Sequence, residues 1–413
     1  MKDAGLVLHA IIGAELAGGG SLIAGFPPPA PPPIRLDDME PSKSRESCEI
    51  LVTMKTTIKP DRSLVETKEE HIIKLGLDVH SEQITACRQE DGLLPQPSQK
   101  MSWEKVLKWI NDQVSCGTKV FSCYEAGPCG YGLHRTLTAM GVTNIVVAPQ
   151  RWDDQGKRVK TDKRDARELV DRLDRYVRGN RNVFSVVRVP TEEEEQRRSM
   201  VRQRGRVLKE RNRCILRGRG LLLAQGFRAP TGWWKPHPWL KFAVSLPDWL
   251  REEVGLWQSR ACGYETELVA LSRKVEELSK GQPIPKGVGL LTASLLESEI
   301  LDWHRFKNRR QVASYTGLCP SENSSGGKRK QGSISKHGNP RVRCHLVEAV
   351  WRLQMWQPAY PPIRKLKEAS GGRVRKRMAV AAARRLAIDL WRIKTGQCSA
   401  QELGLQLAGS QPN

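Results

Sequence analysis

Two aspartates, Asp162 and Asp165, stand three residues apart in the stretch VKTDKRDA (159–166), among Lys160, Lys163, Arg164 and Arg167. The following residues, RELVDRLDRYV, have a helical pattern, and at that spacing both carboxylates share one side of the helix. Acids inside a basic surround suit Mg2+ on a phosphate backbone. The metal takes oxygen ligands while the lysines and arginines draw in the polyanion. Taken alone, the segment reads first as a solvated helix start whose aspartates meet the positive end of the helix dipole. The metal reading depends on partner carboxylates elsewhere in the chain.

Two such partners stand on strand-like segments. HIIKLGLDVHSEQITACRQEDG (71–92) reads as strand, turn and strand, with Ile73, Leu75, Leu77 and Val79 alternating on one face. Asp78 falls on the opposite face near the strand end. An unpaired acid in a hydrophobic strand costs on the order of several kcal/mol, so a metal or a strong hydrogen-bond network is expected there. Glu125 closes the strand KVFSCYE, just before the turn-rich AGPCGYG and the helix YGLHRTLTAM; by itself it could equally cap that helix. NIVVAP supplies a further strand, and strands alternating with helices make a mixed sheet covered by helices. The acids then run D, E, D, D. Two divalent ions about 4 Å apart can drive in-line displacement at phosphorus, and several carboxylates are needed to hold them.

The totals agree with a nucleic-acid partner. With 413 residues the chain is expected to form two or three domains. Its formal net charge is +23 and only 6% of residues are aromatic, which favours an extended polyanion. Ten cysteines without a CxxC pair argue against a zinc cluster or a disulfide framework and fit a reducing cytoplasm. Cys123 and Cys129, the closest pair, read as buried thiols. No apolar run is suited to spanning a bilayer, so a soluble, cytoplasmic and nucleoid-associated protein with no membrane partner is expected. Residues 1–70, with the clusters AGGG and PPPAPPP, read as a disordered leader, and translation from Met54 is an alternative start.

Beyond the sheet, Thr191 and Glu194 form a capping box for a long helix in which Met200/Val201, Val207/Leu208, Cys214/Ile215 and Leu221/Leu222 make a packing stripe. Its other faces are rich in cations, and Arg202, Arg206, Lys209 and Arg213 are the ones expected on nucleic acid in preference to a merely solvated face. Trp233, Trp234 and Trp239 read as packing residues at a hairpin tip. A second helix carries a coiled-coil seam at Tyr264, Leu268, Leu271, Val275 and Leu278, paired either with the arginine-rich helix or with another subunit. GQPIPKGVG then breaks the chain before the helix LLTASLLESEI; it is a phosphate-binding loop or a plain connection. A strand-like SYTGL leads into a basic serine–glycine loop with Lys328, Arg329, Lys330 and Lys336, and Arg341 and Arg343 open the next helix. A serine hydroxyl held near phosphate is plausible in that loop. The helix RVRKRMAVAAARRLAIDLWRI closes the domain.

Residues 74 to about 396 resemble the DEDD transposases of bacterial insertion sequences, insertion-sequence family 110, related to the Piv invertases. The resemblance rests on LGLDVH, CYEAGPCGYGLHR, KTDKRDA, GVGLLTA, SYTGLCPSENSSGGKRKQGSISKHGNPRVR and KRMAVAAARRLAIDLW; Lys286 departs from the usual Pro-Gly turn. It implies an α/β plus α architecture: a RuvC-like, RNase H-type mixed-sheet domain (71–185), a basic helical coiled-coil insert (190–280), a mostly helical C-terminal transposase domain (281–396) and a tail (397–413). By position it assigns the acids to Asp78, Glu125, Asp162 and Asp165, as metal ligands and catalytic residues, and the nucleophile to Ser325, with Ser324 its neighbour. It further implies Mg2+, donor and target DNA, a noncoding bridge RNA that pairs with both, and a homo-oligomer from dimer to tetramer. Two rivals to this site-specific recombinase remain at this stage. One is a metal-dependent nuclease or junction resolvase in which water attacks; the other is a non-catalytic nucleic-acid-binding derivative.

Overall fold

The computed structural model describes residues 71–149, 161–322, 326–327 and 330–408. The expectations about the leader, its start and the final residues lie outside them. The chain divides into two compact units, the first ending at Val189 and the second beginning at Pro190.

The first unit is built on β1 (Ile72–Val79), β2 (Gln83–Glu90), β3 (Gln99–Ser102), α1 (Trp103–Ser115), β4 (Lys119–Glu125), α2 (Gly132–Ala139), β5 (Thr143–Val147) and α3 (Asp162–Val177). Its sheet has the order β3-β2-β1-β4-β5. β1 runs antiparallel to β2 and parallel to β4, and β4 runs parallel to β5. The alternation read in β1 sorts its two faces. Ile73, Leu75 and Leu77 pack with Val106, Leu107 and Ile110 of α1 and with Leu133 and Leu137 of α2. Lys74, Gly76 and Asp78 therefore point to the other face, the one α3 covers. β3 and α1 arise from residues 99–115, a stretch not expected from the sequence to form either element.

Packing of α3 against that face is unusually close. A Cβ on Gly76 would lie 2.2 Å from the Ala166 carbonyl oxygen and 2.5 Å from the Val170 nitrogen, so the helix backbone rests directly on the strand. Gly76 is opposite Cys87 on one side and Cys123 on the other, a row of small side chains across three strands. Cys123 is fully buried as expected and donates to the Leu169 carbonyl at 3.4 Å. Cys129, also read as buried, is only half-buried, because it belongs to the open turn before α2. At the other end of β1, buried Lys74 donates to Asp174 at 2.7 Å. Asp174 near Lys74, Ala166 at Gly76 and the helix start beyond it mean that α3 runs antiparallel to β1. Its first turn is thereby delivered to the end of the strand where Asp78 stands.

In the second unit, Thr191 and Glu194 do form the capping box that starts α4 (Glu192–Ala224). A turn region with α5 (Pro236–Ala243) leads to α6 (Asp248–Glu277). Arg211 meets Glu265 and Arg204 meets Ser272. Each pair of numbers has the same sum, as two antiparallel helices require. The apolar seam of α6 thus pairs with the arginine-rich helix, with Val207, Leu268 and Leu271 in one buried cluster. Trp233 and Trp234 are buried in the hairpin and pack there. The rest comprises α7 (Leu290–Ile300), α8 (Arg309–Thr316), β6 (Pro320–Glu322), β7 (Gln331–Ile334), α9 (Pro340–Trp356), α10 (Pro361–Glu368) and α11 (Gly372–Lys394). The stretch SYTGL is a correction: it is the end of α8, not a strand. Asn308 caps that helix through the Arg310 and Gln311 amides, and Gly317, left-handed at φ 65°, ends it. Five residues were too few to separate an alternating period from a helical one.

Replacing Gly76 with Ala should force α3 off the sheet and cost about 1–3 kcal/mol or more, the usual range for overpacking. Urea denaturation of the full chain checks it, with the lost stability expected in the first unit.

Candidate active site

The β1–β4 register ends at Leu77 opposite Tyr124, so Asp78 and Glu125 are the next residues on two adjacent parallel strands. Glu125 shares the side of the sheet on which Cys123 meets α3, as Asp78 does. Asp162 and Asp165 lie in the first turn of α3, where the positive end of the helix favours their charge. The four acids read from the sequence are thus all carried to one end of the sheet, on one face.

They are not equally close. Asp78, His80 and Asp162 form a group whose donor atoms lie within 4.8 Å of one another. His80 Nε2 is 3.1 Å from Asp78 Oδ2 and 3.7 Å from Asp162 Oδ2. Lys100 Nζ, from β3, is 3.3 Å from Asp162 Oδ2. Asp165 and Glu125 stand outside this group, although Asp165 is near enough for its charge to act on Asp78. Trp103 Nε1 donates to the His80 carbonyl at 3.0 Å, and Ser98 Oγ donates to the Lys163 carbonyl at 2.8 Å. These bonds hold the turn after β1 and the start of α3 in place. His80 and Lys100 were not singled out in the sequence. The only signal for His80 was its position two residues after Asp78, at the strand end.

The electrostatics fit a cation. Burial raises Asp78 above the ordinary aspartate value, the nearby His80 draws it down, and the charges of Asp162 and Asp165 raise it again. Asp162 is lowered, first by its hydrogen bond with Lys100. Carboxylates that destabilise one another's charge are relieved by a positive ion between them. Oxygen and imidazole donors at this spacing can hold a divalent metal.

The basic residues fall into two kinds. Arg206, Lys209 and Arg213 are exposed on α4, with Arg213 beside Glu210 at 2.9 Å. Lys330, Lys336 and Arg341 are exposed around β7 and the start of α9. Arg202 and Arg343 instead have close structural partners, and Arg341 Nε also lies 4.0 Å from Glu299 Oε1. Arg343 donates to the Thr316 and Lys336 carbonyls at 3.1 and 3.2 Å. Arg202 grips Glu299 of α7 with two bonds of 2.8 Å. Glu299, whose side chain is 1% exposed, also accepts from Asn339, the residue that caps α9. Its only sequence signal was an acid within an apolar helix. Ser324, Ser325, Lys328 and Arg329 fall between β6 and β7, outside the described residues.

An acid-lined site on a strongly basic chain is the pattern of an enzyme that acts on nucleic acid, and similarity to known proteins makes this specific. Residues 285–368 match the model of the transposase IS116/IS110/IS902 family. A putative transposase of Sinorhizobium fredii is 34% identical over 298 residues, covering 65% of this chain and 75% of that protein. The transposase for insertion sequence element IS1533 of Leptospira borgpetersenii is 28% identical, covering 68% of this chain and 85% of that protein. The transposase for element IS1111A of Coxiella burnetii is 30% identical over 54% of this chain and 64% of its own length. The chain belongs to the IS116/IS110/IS902 transposase family, and is a DNA transposase of an insertion sequence. Among the described residues no helix is long and apolar enough to cross a membrane.

Asp78→Asn should weaken binding of Mn2+ or Mg2+ in calorimetric titration. In the unaltered chain, that affinity should begin to fall, as the pH is lowered, above the ordinary aspartate range of about 4, because the proton competes for a raised carboxyl. For Glu299, burial alone would raise the carboxyl, but bonds from Arg202 and Asn339 and the Arg202 and Arg341 charges hold it below its ordinary value. Its stabilising contribution is therefore present at neutral pH and is lost as pH falls below about 4.3 and through the lower folded value. Glu299→Ala, which strands Arg202, should cost about 3–5 kcal/mol at neutral pH by chemical denaturation.

Proposed function

We propose that this transposase cuts and rejoins donor and target DNA with the acids Asp78, Glu125, Asp162 and Asp165 as Mg2+ ligands and Ser325 as nucleophile. The observation that carries the metal part is the convergence of Asp78 and Asp162 on His80 at the end of β1. The order β3-β2-β1-β4-β5, with acids at the ends of the adjacent strands β1 and β4, supports a RuvC-like, RNase H-type first unit. Bound metal would neutralise the phosphate and ease deprotonation of the attacking hydroxyl. His80 and Lys100 hold the carboxylates apart from one another's charge, and Glu125 and Asp165 complete the acid set around them.

The Ser325 hydroxyl loses its proton and its oxygen bonds to phosphorus as a DNA oxygen departs and is protonated. The phosphodiester is exchanged, not hydrolysed, so the strands can rejoin without ATP. This part rests on the resemblance of the serine–glycine loop. Arg206, Lys209, Arg213 and Lys330, all exposed, would hold nucleic-acid backbones, and a bridge RNA would supply sequence choice by pairing with donor and target. Assembly into a dimer or tetramer is supported by apolar residues left exposed at seven-residue spacing on the helical hairpin, Leu216 and Leu223 on α4 and Trp249 and Leu256 on α6.

The test is incubation of purified protein with Mg2+, RNA flanking the element and end-labelled donor and target DNA, followed by a denaturing gel. Label should remain on the protein, and should disappear in Ser325→Ala while the fold is retained. Free cut ends with no linked protein, unaffected by that substitution, would replace this reading with a hydrolytic nuclease.

A further inference from the structure

The end of α9 carries a surface that the cleavage chemistry does not use. Trp351, Met355 and Trp356 are 39%, 80% and 49% exposed, while the opposite face of the same helix, from Val342 to Leu353, is buried. An exposed cluster of large apolar side chains marks a contact surface. Cations are interleaved with it. Lys286 Nζ lies 5.2 Å from the centre of the Trp356 ring, and the Arg375 guanidinium carbon lies 5.8 Å from that of Trp351. Arg352, on the same exposed arc of the helix, donates to the Val288 carbonyl and to Thr292 Oγ1, each at 2.8 Å.

The rings are held ready. Gly287 packs against Trp356 so closely that a Cβ there would come within 2.9 Å of the tryptophan's own Cβ. Arg375 is tied to Gln354 by a 3.0 Å bond while it covers Trp351. Each indole is partly exposed and has a cation over its ring.

A second copy of the chain fits this surface poorly. In a two-fold contact Lys286, Arg352 and Arg375 would face their own copies, and like charges brought together disfavour association. An unpaired polynucleotide suits both halves of the surface at once, since its bases offer flat faces to the rings and its phosphates offer charge to the cations. Duplex DNA hides those base faces. DNA is the substrate of the family, and cutting and rejoining strands leaves stretches of it unpaired.

We propose that Trp351, Met355 and Trp356 form a stacking platform for single-stranded DNA, with Lys286 and Arg375 on its phosphates. This rests on membership of the transposase family and is independent of the metal and serine assignments. The measurement is fluorescence anisotropy of the full-length chain, without metal, titrated into labelled oligo(dT), oligo(rU) of equal length and a duplex of equal length. Trp351→Ala should weaken oligo(dT) binding about tenfold, the scale of losing one base stack, and Trp351→Phe should recover most of it. Met355→Glu, at a side chain too exposed to support the fold, should also weaken oligo(dT) while duplex binding is unchanged. Oligo(dT) binding unaltered in both Trp351→Ala and Met355→Glu, or equal losses on duplex, would overturn the proposal. So would losses confined to oligo(rU), which would assign the platform to RNA. A drop in oligomer mass by light scattering with DNA binding intact would assign it to a protein contact and overturn it as well.

Discussion

The site at the end of β1 depends on how near a helix can come to a strand. With any side chain at Gly76, α3 would ride higher, and the Asp162 carboxylate would no longer reach the group formed by Asp78 and His80. The row Cys87, Gly76 and Cys123 makes that approach possible across three strands, and the buried Lys74–Asp174 pair fixes the helix along the strand. Removing water from one such ion pair is costly, but the geometry here is direct and sets the position of the helix along the strand more than it adds stability. The acids are therefore positioned by small residues and by one ion pair well away from them.

Charge is managed locally in a chain that is basic overall. Asp78 is balanced by His80, Asp162 by His80 and Lys100, and Glu299 by Arg202 and Asn339. The first two acids keep side chains open to solvent, where a metal ion can displace the weaker partners. Glu299 is closed off and committed to joining α4 to α7 and the cap of α9. Similar residue types thus line the candidate site in one unit and a structural junction in the other, and exposure separates them.

Much of the first unit was legible in the sequence because β1 alternates so regularly. Ile73, Leu75 and Leu77 could be assigned to one face, and Asp78 then had to stand on the other. Asp78 and Glu125 stand out as acids at strand ends, whereas Asp162 and Asp165 stand out by their spacing at a helix start among basic residues. The parts that were missed are those whose role comes from other segments. Lys100 has no pattern of its own, and its meaning comes from pairing of β3 with β2, which brings it beside Asp162. The arginines of α4 looked alike in sequence, yet Arg202 reaches a carboxylate 97 residues away while Arg206 stays exposed. The seam on α6 could be seen, but only the pairing of Arg211 with Glu265 decides that its partner is α4. SYTGL was too short to carry a period, and the left-handed Gly317 that ends α8 was the only local sign.

The length of α4 has a geometric consequence. Its 33 residues, uninterrupted by proline, rise about 1.5 Å each, giving a rod of about 50 Å. One turn of duplex DNA advances roughly 34 Å. The rod is therefore about one and a half turns of duplex long, and points at its two ends would face different grooves of a duplex laid along it. Arg206 and Arg219, both exposed, lie 13 positions apart on it, or about 20 Å along the axis. Inserting or deleting a turn of α4 would change the axial separation of such charges by about 5.4 Å.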